Sequence, residues 1–190
     1  MAAPDRGARA RLIILDRDGV INHDSDAYIK SPDEWQPLPG SIEAIARLCK
    51  AGYRIAVATN QSGVARGLFD LATLAAIHEK MHAAVERAGG RIDAVFFCPH
   101  GPDDGCGCRK PKSGMFNEAL ARFGVQAADT WAVGDQLRDL QAAHAAGCRT
   151  LLVLSGKGQK TMQHGELPPG TIVRVDLAAC AAELAAQTET

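Results

Sequence analysis

Two carboxylates one residue apart, Asp16 and Asp18, close the apolar run Leu12-Ile13-Ile14-Leu15. Along an extended backbone, alternation turns Arg17 away and points both acids to one side. There they repel each other unless a cation or a substrate proton lies between them, an arrangement that asks for Mg²⁺. The same residues would also suit a strand end followed by an acidic turn, so the rest of the chain must decide.

Thr59-Asn60-Gln61-Ser62-Gly63 offers a hydroxyl, amides and backbone N–H groups, fit for an anion or for a plain turn. Gly134-Asp135, with Asp139 one helical turn later, adds further carboxylates. They supply either hard oxygen ligands for Mg²⁺ or a helix cap with a solvated acid behind it. Lys110 brings the complementary cation. Cys98-x-His100, five residues, then Cys106-x-Cys108 gives three sulfurs and an imidazole, a closed tetrahedral set for Zn²⁺. With every position filled by protein, such an ion is structural. Arg109 and Lys110 directly follow the last ligand, so the metal would pin a glycine-rich loop and aim both cations at a phosphate.

Two further motifs are weaker. His78-Glu79-Lys80-Met81-His82 matches H-E-x-x-H, the zinc protease helix. However, Leu71, Leu74, Met81 and Val85 are spaced as the buried face of that helix and the histidines flank it, so boundary packing is expected. Lys157-Gly158 lacks the upstream glycines of a phosphate loop and reads as an ordinary loop.

The elements that must position these groups follow from the pattern of apolar runs. Short runs suited to strands alternate with segments of helical period, the signature of an α/β fold with a mainly parallel, doubly wound sheet. Strands are expected at 11–15, 54–58, 92–97, 130–133, 150–154 and 171–175, and helices near 41–51, 71–88, 114–123, 137–146 and 177–186. Ligands in such sheets sit beyond the carboxyl ends of the strands, where Asp16, Thr59, Cys98 and Asp135 all fall. The 190 residues suit one domain over 11–190, with a flexible tail at 1–10. With 21 basic and 22 acidic side chains, no charge footprint points to nucleic acid or a membrane surface. No signal peptide or membrane span is read, and a monomeric cytoplasmic protein is expected.

Taken together, Leu15-Asp16-Arg17-Asp18-Gly19, Thr59-Asn60-Gln61-Ser62-Gly63, Arg109-Lys110-Pro111 and Val133-Gly134-Asp135-x-x-x-Asp139 resemble, in order and spacing, the four motifs of haloacid-dehalogenase-type (HAD) phosphatases. The resemblance implies that Asp16 attacks phosphorus to form an aspartyl phosphate while Asp18 serves first as acid and then as base. It implies Mg²⁺ held by Asp16, Asp135 and the main-chain carbonyl of Asp18, with Thr59 and Lys110 on the transferring oxygens. The intervals after Asp18 and between Ser62 and Lys110 are too short for a cap domain. Within the family, Cys-Pro-His followed by Cys-x-Cys-Arg-Lys-Pro is shared by two zinc-containing capless groups, the heptose bisphosphate phosphatases and the histidinol phosphatases. The stretches 60–67, 112–115 and 139–143 resemble the heptose group more. That implies a small sugar bisphosphate as substrate, on the way to lipopolysaccharide or a surface-layer glycan. It also implies substrate contacts from Asp24, Tyr28, Asn60, Gln61, Ser62 and Arg109, the last on the non-reacting phosphate. Gln136 departs from the family pattern, in which lysine is usual.

Overall fold

The structure, a computed structural model, describes residues 11–187; the tail at 1–10 lies outside them. Its elements run β1 (Arg11–Leu15), α1 (Ser41–Lys50), β2 (Tyr53–Asn60), α2 (Leu71–Arg87), β3 (Ala94–Cys98), α3 (Gly114–Phe123), β4 (Trp131–Gly134), α4 (Leu137–Ala145), β5 (Arg149–Val153), α5 (Gly158–His164), β6 (Ile172–Arg174) and α6 (Leu177–Ala186). The six strands form one sheet in the order β3-β2-β1-β4-β5-β6, with every pairing parallel.

Alternation along the strands divides the core in two. Ile13, Leu15, Ile55, Val57 and Val133 pack under α1, α2 and α6, which contribute Ile45, Leu48, Met81 and Leu184. The opposite face of the same strands carries Leu12, Ile14, Ala56, Ala58 and Ala132 against Met115 and Ala119 of α3 and Ala142 and Ala143 of α4. Alanine at so many facing positions lets α3 and α4 lie close to the sheet. Both faces of every inner strand are therefore buried, which is why these strands read as continuous apolar runs.

Three readings are corrected and one, the mainly parallel sheet, is sharpened. β2 continues through Asn60, so Thr59 and Asn60 belong to the strand rather than to the turn after it. The sheet is parallel throughout the described residues, not mainly so. Gly158, read with Lys157 as loop, instead opens α5 (Gly158–His164); the segment is short and polar, so it has no apolar period to announce it. Leu71, assigned to the buried face of α2, is 55% exposed at the helix start, while Leu74, Met81 and Val85 are buried as expected.

Residues 16–40 hold no further helix or strand, only isolated bridges that pair Asn22 with Asp18 and Pro37. The segment is nevertheless anchored. Ile21, Ile29 and Trp35 enter the core, and Lys80 Nζ donates to the carbonyls of Pro32 and Trp35. It forms a rim to the carboxyl end of the sheet, with no cap over it.

Candidate active site

The strand order reverses between β1 and β4, and the crevice beyond their carboxyl ends is where such sheets bind ligands. Asp16 follows β1, Asp135 follows β4, and one carboxylate oxygen of each, with one of Asp139, lies within 4.8 Å of the others. All three are almost fully buried. Lys110 is the cation among them: Nζ lies 2.9 Å from Asp16 Oδ1 and 2.8 Å from Asp139 Oδ1, and it donates to the Ala58 carbonyl at 2.8 Å. Asp139 is thus not a solvated acid. Its other oxygen accepts from the Gln136 N–H at 3.0 Å and caps α4.

The charges do not balance, since three carboxylates face one ammonium. Burial raises the Asp16 carboxyl to about 7; Lys110 opposes the rise, and Asp139 and Asp18 add to it. Burial and the neighbouring charges of Asp16 and Asp139 raise Asp135 to about 8. Asp135 Oδ1 is buried with no hydrogen-bond partner. Its Oδ2 accepts from the Lys157 N–H at 2.8 Å. The backbone closes so tightly around that oxygen that a Cβ on Gly19 would come within 2.1 Å of it, and one on Gly156 within 2.3 Å. A hard-oxygen pocket with surplus negative charge and an unsatisfied buried oxygen fits a divalent cation such as Mg²⁺.

Asp18 is held differently. Arg17 leaves β1 toward the other face, as alternation requires, but it does not turn away from the site. Its guanidinium curls back and grips Asp18 with Nε and Nη2, each at 3.0 Å. Asn22 adds a bond at 2.8 Å and Gln61 one at 3.0 Å. Burial pushes the Asp18 carboxyl up, but Arg17 outweighs it and, with Asn22 and Gln61, keeps the group below the ordinary carboxylate value. Behind Arg17, itself fully buried, stands His78 of α2, its Nε2 3.4 Å from Nη1. Burial first, then the charge of Arg17, lowers His78 to about 3, so the ring is neutral and accepts from the guanidinium. His78 and His82 join no metal-ligand cluster among the described residues, in keeping with packing rather than a protease site.

A cavity of about 210 Å³ opens above these groups, lined by Asp16, Asp18, Thr59, Lys110 and residues of the 24–29 rim. Beside it the side chains of Cys98, His100, Cys106 and Cys108 converge, with neighbouring ligand atoms 3.3–3.6 Å apart. Those separations approach the edge of about 3.8 Å that a tetrahedral site with zinc–sulfur bonds near 2.3 Å would have. Burial and the thiols of Cys108 and Cys106 push Cys98 up to about 12. Cys106, despite some desolvation, is drawn down to about 7 by the Arg109 N–H and its thiol neighbours.

Comparison with known proteins places this geometry. A family model described as HAD-hydrolase-like matches residues 107–180. The chain is 62% identical over 174 residues to the D-glycero-beta-D-manno-heptose-1,7-bisphosphate 7-phosphatase of Bordetella bronchiseptica, covering 92% of this chain and 97% of that protein. The chain belongs to the heptose bisphosphate phosphatases of the HAD superfamily. A second member of that family, from Pseudomonas aeruginosa, is 55% identical, with 91% of this chain and 97% of that protein covered. The crystal structure of the Bordetella bronchiseptica D,D-heptose 1,7-bisphosphate phosphatase, complexed with magnesium and phosphate, superposes with a TM-score of 0.92 at 60% identity, covering 93% of this chain and 99% of that one.

Of the residues singled out in the sequence of this HAD family member, Asp16, Asp18, Asp24, Tyr28, Thr59, Asn60, Gln61, Ser62, Arg109 and Lys110 all line the one cavity. Several are engaged with the protein itself. Asn60 exchanges two 3.1 Å bonds with the Lys110 backbone, and Gln61 bridges Asp18 to Thr59 Oγ1. Tyr28 has a left-handed backbone, φ 66°, closing a turn onto Ser25. Sequence reasoning missed Arg17, Asn22, Ser155 and Lys157. Arg17 was legible as part of the motif but not as the clamp on Asp18, whereas Ser155 donates to the Gly19 carbonyl from 136 positions away and the Lys157 N–H to Asp135 Oδ2 from 22, and no local signal could place them.

Proposed function

We propose that this protein is a Mg²⁺-dependent phosphatase that removes the 7-phosphate of D-glycero-β-D-manno-heptose 1,7-bisphosphate, the reaction named for its relatives. The observation that carries the chemistry is the buried set of Asp16, Asp135 and Lys110 beside a clamped Asp18. Asp16 Oδ1 is fixed by the Arg17 N–H and by Lys110, which leaves Oδ2 to attack phosphorus. As that bond forms, the bond from phosphorus to the sugar O7 breaks and Asp18 delivers its proton to the leaving alkoxide. In the resting site Arg17 keeps Asp18 ionised; the phosphate dianion arriving beside it opposes that charge and favours the protonated form. In the second step Asp18 takes the proton of the attacking water, the aspartyl–phosphate bond breaks, and Asp16 returns to carboxylate. Thr59 and Lys110 hold the transferring oxygens. Asp16, Asp135 and the Asp18 carbonyl would hold Mg²⁺, which when bound offsets charge on nucleophile and phosphate.

Cys98, His100, Cys106 and Cys108 would hold a structural Zn²⁺ that keeps Arg109 and Lys110 in place, and Asp24, Tyr28, Ser62 and Arg109 would meet the sugar and its anomeric phosphate. The reading also takes the protein as a cytoplasmic monomer; no helix among the described residues is long and apolar enough to cross a membrane. A histidinol phosphatase is not favoured, because the relatives at 55–62% identity carry the heptose name. The test is kcat/KM on the β and α anomers of the heptose bisphosphate and on histidinol phosphate. The β anomer is expected to lead by at least about tenfold, and a lead for histidinol phosphate would overturn the assignment.

A further inference from the structure

A sugar bisphosphate brings two phosphates, and of the cations described so far only Arg109 is assigned to the one that does not react. At the active cavity the lysines are already spent: Lys110 lies between Asp16 and Asp139, and Lys157 between Asp24 at 3.0 Å and Asp26 at 2.8 Å. Arg109 donates to the His100 carbonyl from the zinc-ligand loop. Arg138 is different. It stands in the first turn of α4, lines the cavity, and has a buried Nε with no hydrogen-bond partner. Among the described residues no hydrogen bond or ion pair to protein engages its guanidinium, so its donors are free for an anion in the cavity it lines.

Arg138 also marks a junction. The active cavity meets a second one of about 300 Å³, which shares Gln136, Arg138 and Lys157 with it and is also lined by Lys160 and His164 of α5 and by Glu166. Arg138 and Asp135 leave the same turn three residues apart, so the guanidinium sits beside the reacting centre without belonging to it. We propose that Arg138 binds the non-reacting phosphate of the substrate where the two cavities join, opposite Arg109, and so sets the preference for a bisphosphate. Guanidinium groups suit this task because they present paired N–H donors to phosphate oxygens.

The inference rests on the bisphosphate reading above, and the experiment separates the two. kcat and KM are measured on the heptose 1,7-bisphosphate and on the heptose 7-phosphate for the wild type, Arg138→Gln and Arg138→Lys. Arg138→Gln is expected to raise KM for the bisphosphate about ten- to hundredfold with little change in kcat, and to shrink the preference over the monophosphate by a similar factor. Arg138→Lys should recover part of that loss. A glutamine variant that keeps the wild-type preference, or one that weakens on both substrates equally, overturns the role of Arg138. A wild type with no preference for the bisphosphate overturns the bisphosphate reading itself.

Discussion

Asp18 accepts from three side chains, and one of them is a fully buried arginine. That decides which substitutions are informative. Asp18→Ala would strip Arg17 of its counter-charge, and an uncompensated buried charge costs about 3–5 kcal/mol, so lost activity would be confounded with lost stability. Asp18→Asn keeps the shape and one acceptor oxygen but removes the same charge and turns an NH₂ toward the Arg17 guanidinium, so its activity must be read beside its unfolding curve. The neutral His78 behind Arg17 has a consequence for acid stability. Its value of about 3 in the fold lies below the ordinary 6.5, so below pH 6.5 the unfolded chain takes up a proton that the folded chain refuses. This contribution is whole above pH 6.5 and is lost as pH falls toward 3. By pH 5.5 the loss amounts to about 1.4 kcal/mol. Urea unfolding at pH 7.5 and 5.5 should therefore show His78→Gln losing less stability than the wild type over that interval; equal losses would mean that His78 is protonated in the fold.

At the scale of elements, the strands and their ends were the legible part. β1 reads plainly because Leu12 through Leu15 are buried on both faces, and the carboxyl-end rule then puts Asp16 and Asp135 together before any contact is known. The long-range contacts were not legible. α5 has no apolar stripe, yet it brings Thr161 Oγ1 to the Asp135 carbonyl at 2.8 Å, and the loop before it closes on Gly19 through Ser155 and on Asp135 through Gly156 and the Lys157 N–H. The loop of Cys98, His100, Cys106 and Cys108 shows the opposite case: its candidate metal-ligand set is explicit in the spacing, and its closeness to the Lys110 segment appears only in space. Asn60 clasps the Lys110 backbone from β2, and the cluster grips the same segment from Cys108. Removing the metal, or Cys106→Ser, is expected to raise amide hydrogen exchange across 101–113 and to lower activity severalfold at saturating Mg²⁺. Full turnover by zinc-free protein would contradict the positioning role.

For the whole molecule, the switch point between β1 and β4 makes one crevice, and without a cap that crevice stays open to a polar substrate. The floor is built from buried charges on four elements or their flanking turns, and the rim from the 24–29 loop, the loop that carries the Cys98–Cys108 cluster and the start of α4. This division explains why the class of reaction was readable in the chemistry of the motifs, while the choice of sugar came only from the resemblance of 60–67, 112–115 and 139–143 to the heptose group. The floor is four short motifs, each compact along the chain, whereas the rim depends on how three distant loops approach one another. The central claim is that Asp16 takes the phosphate from one end of a heptose bisphosphate. Its most direct test is ³¹P NMR of D-glycero-β-D-manno-heptose 1,7-bisphosphate with Mg²⁺ and either the wild type or Asp16→Asn. The wild type should lose the C7 phosphate signal and keep the anomeric one, with Asp16→Asn slower by about a thousandfold or more. Release of the anomeric phosphate, or unchanged turnover by Asp16→Asn, would contradict the account.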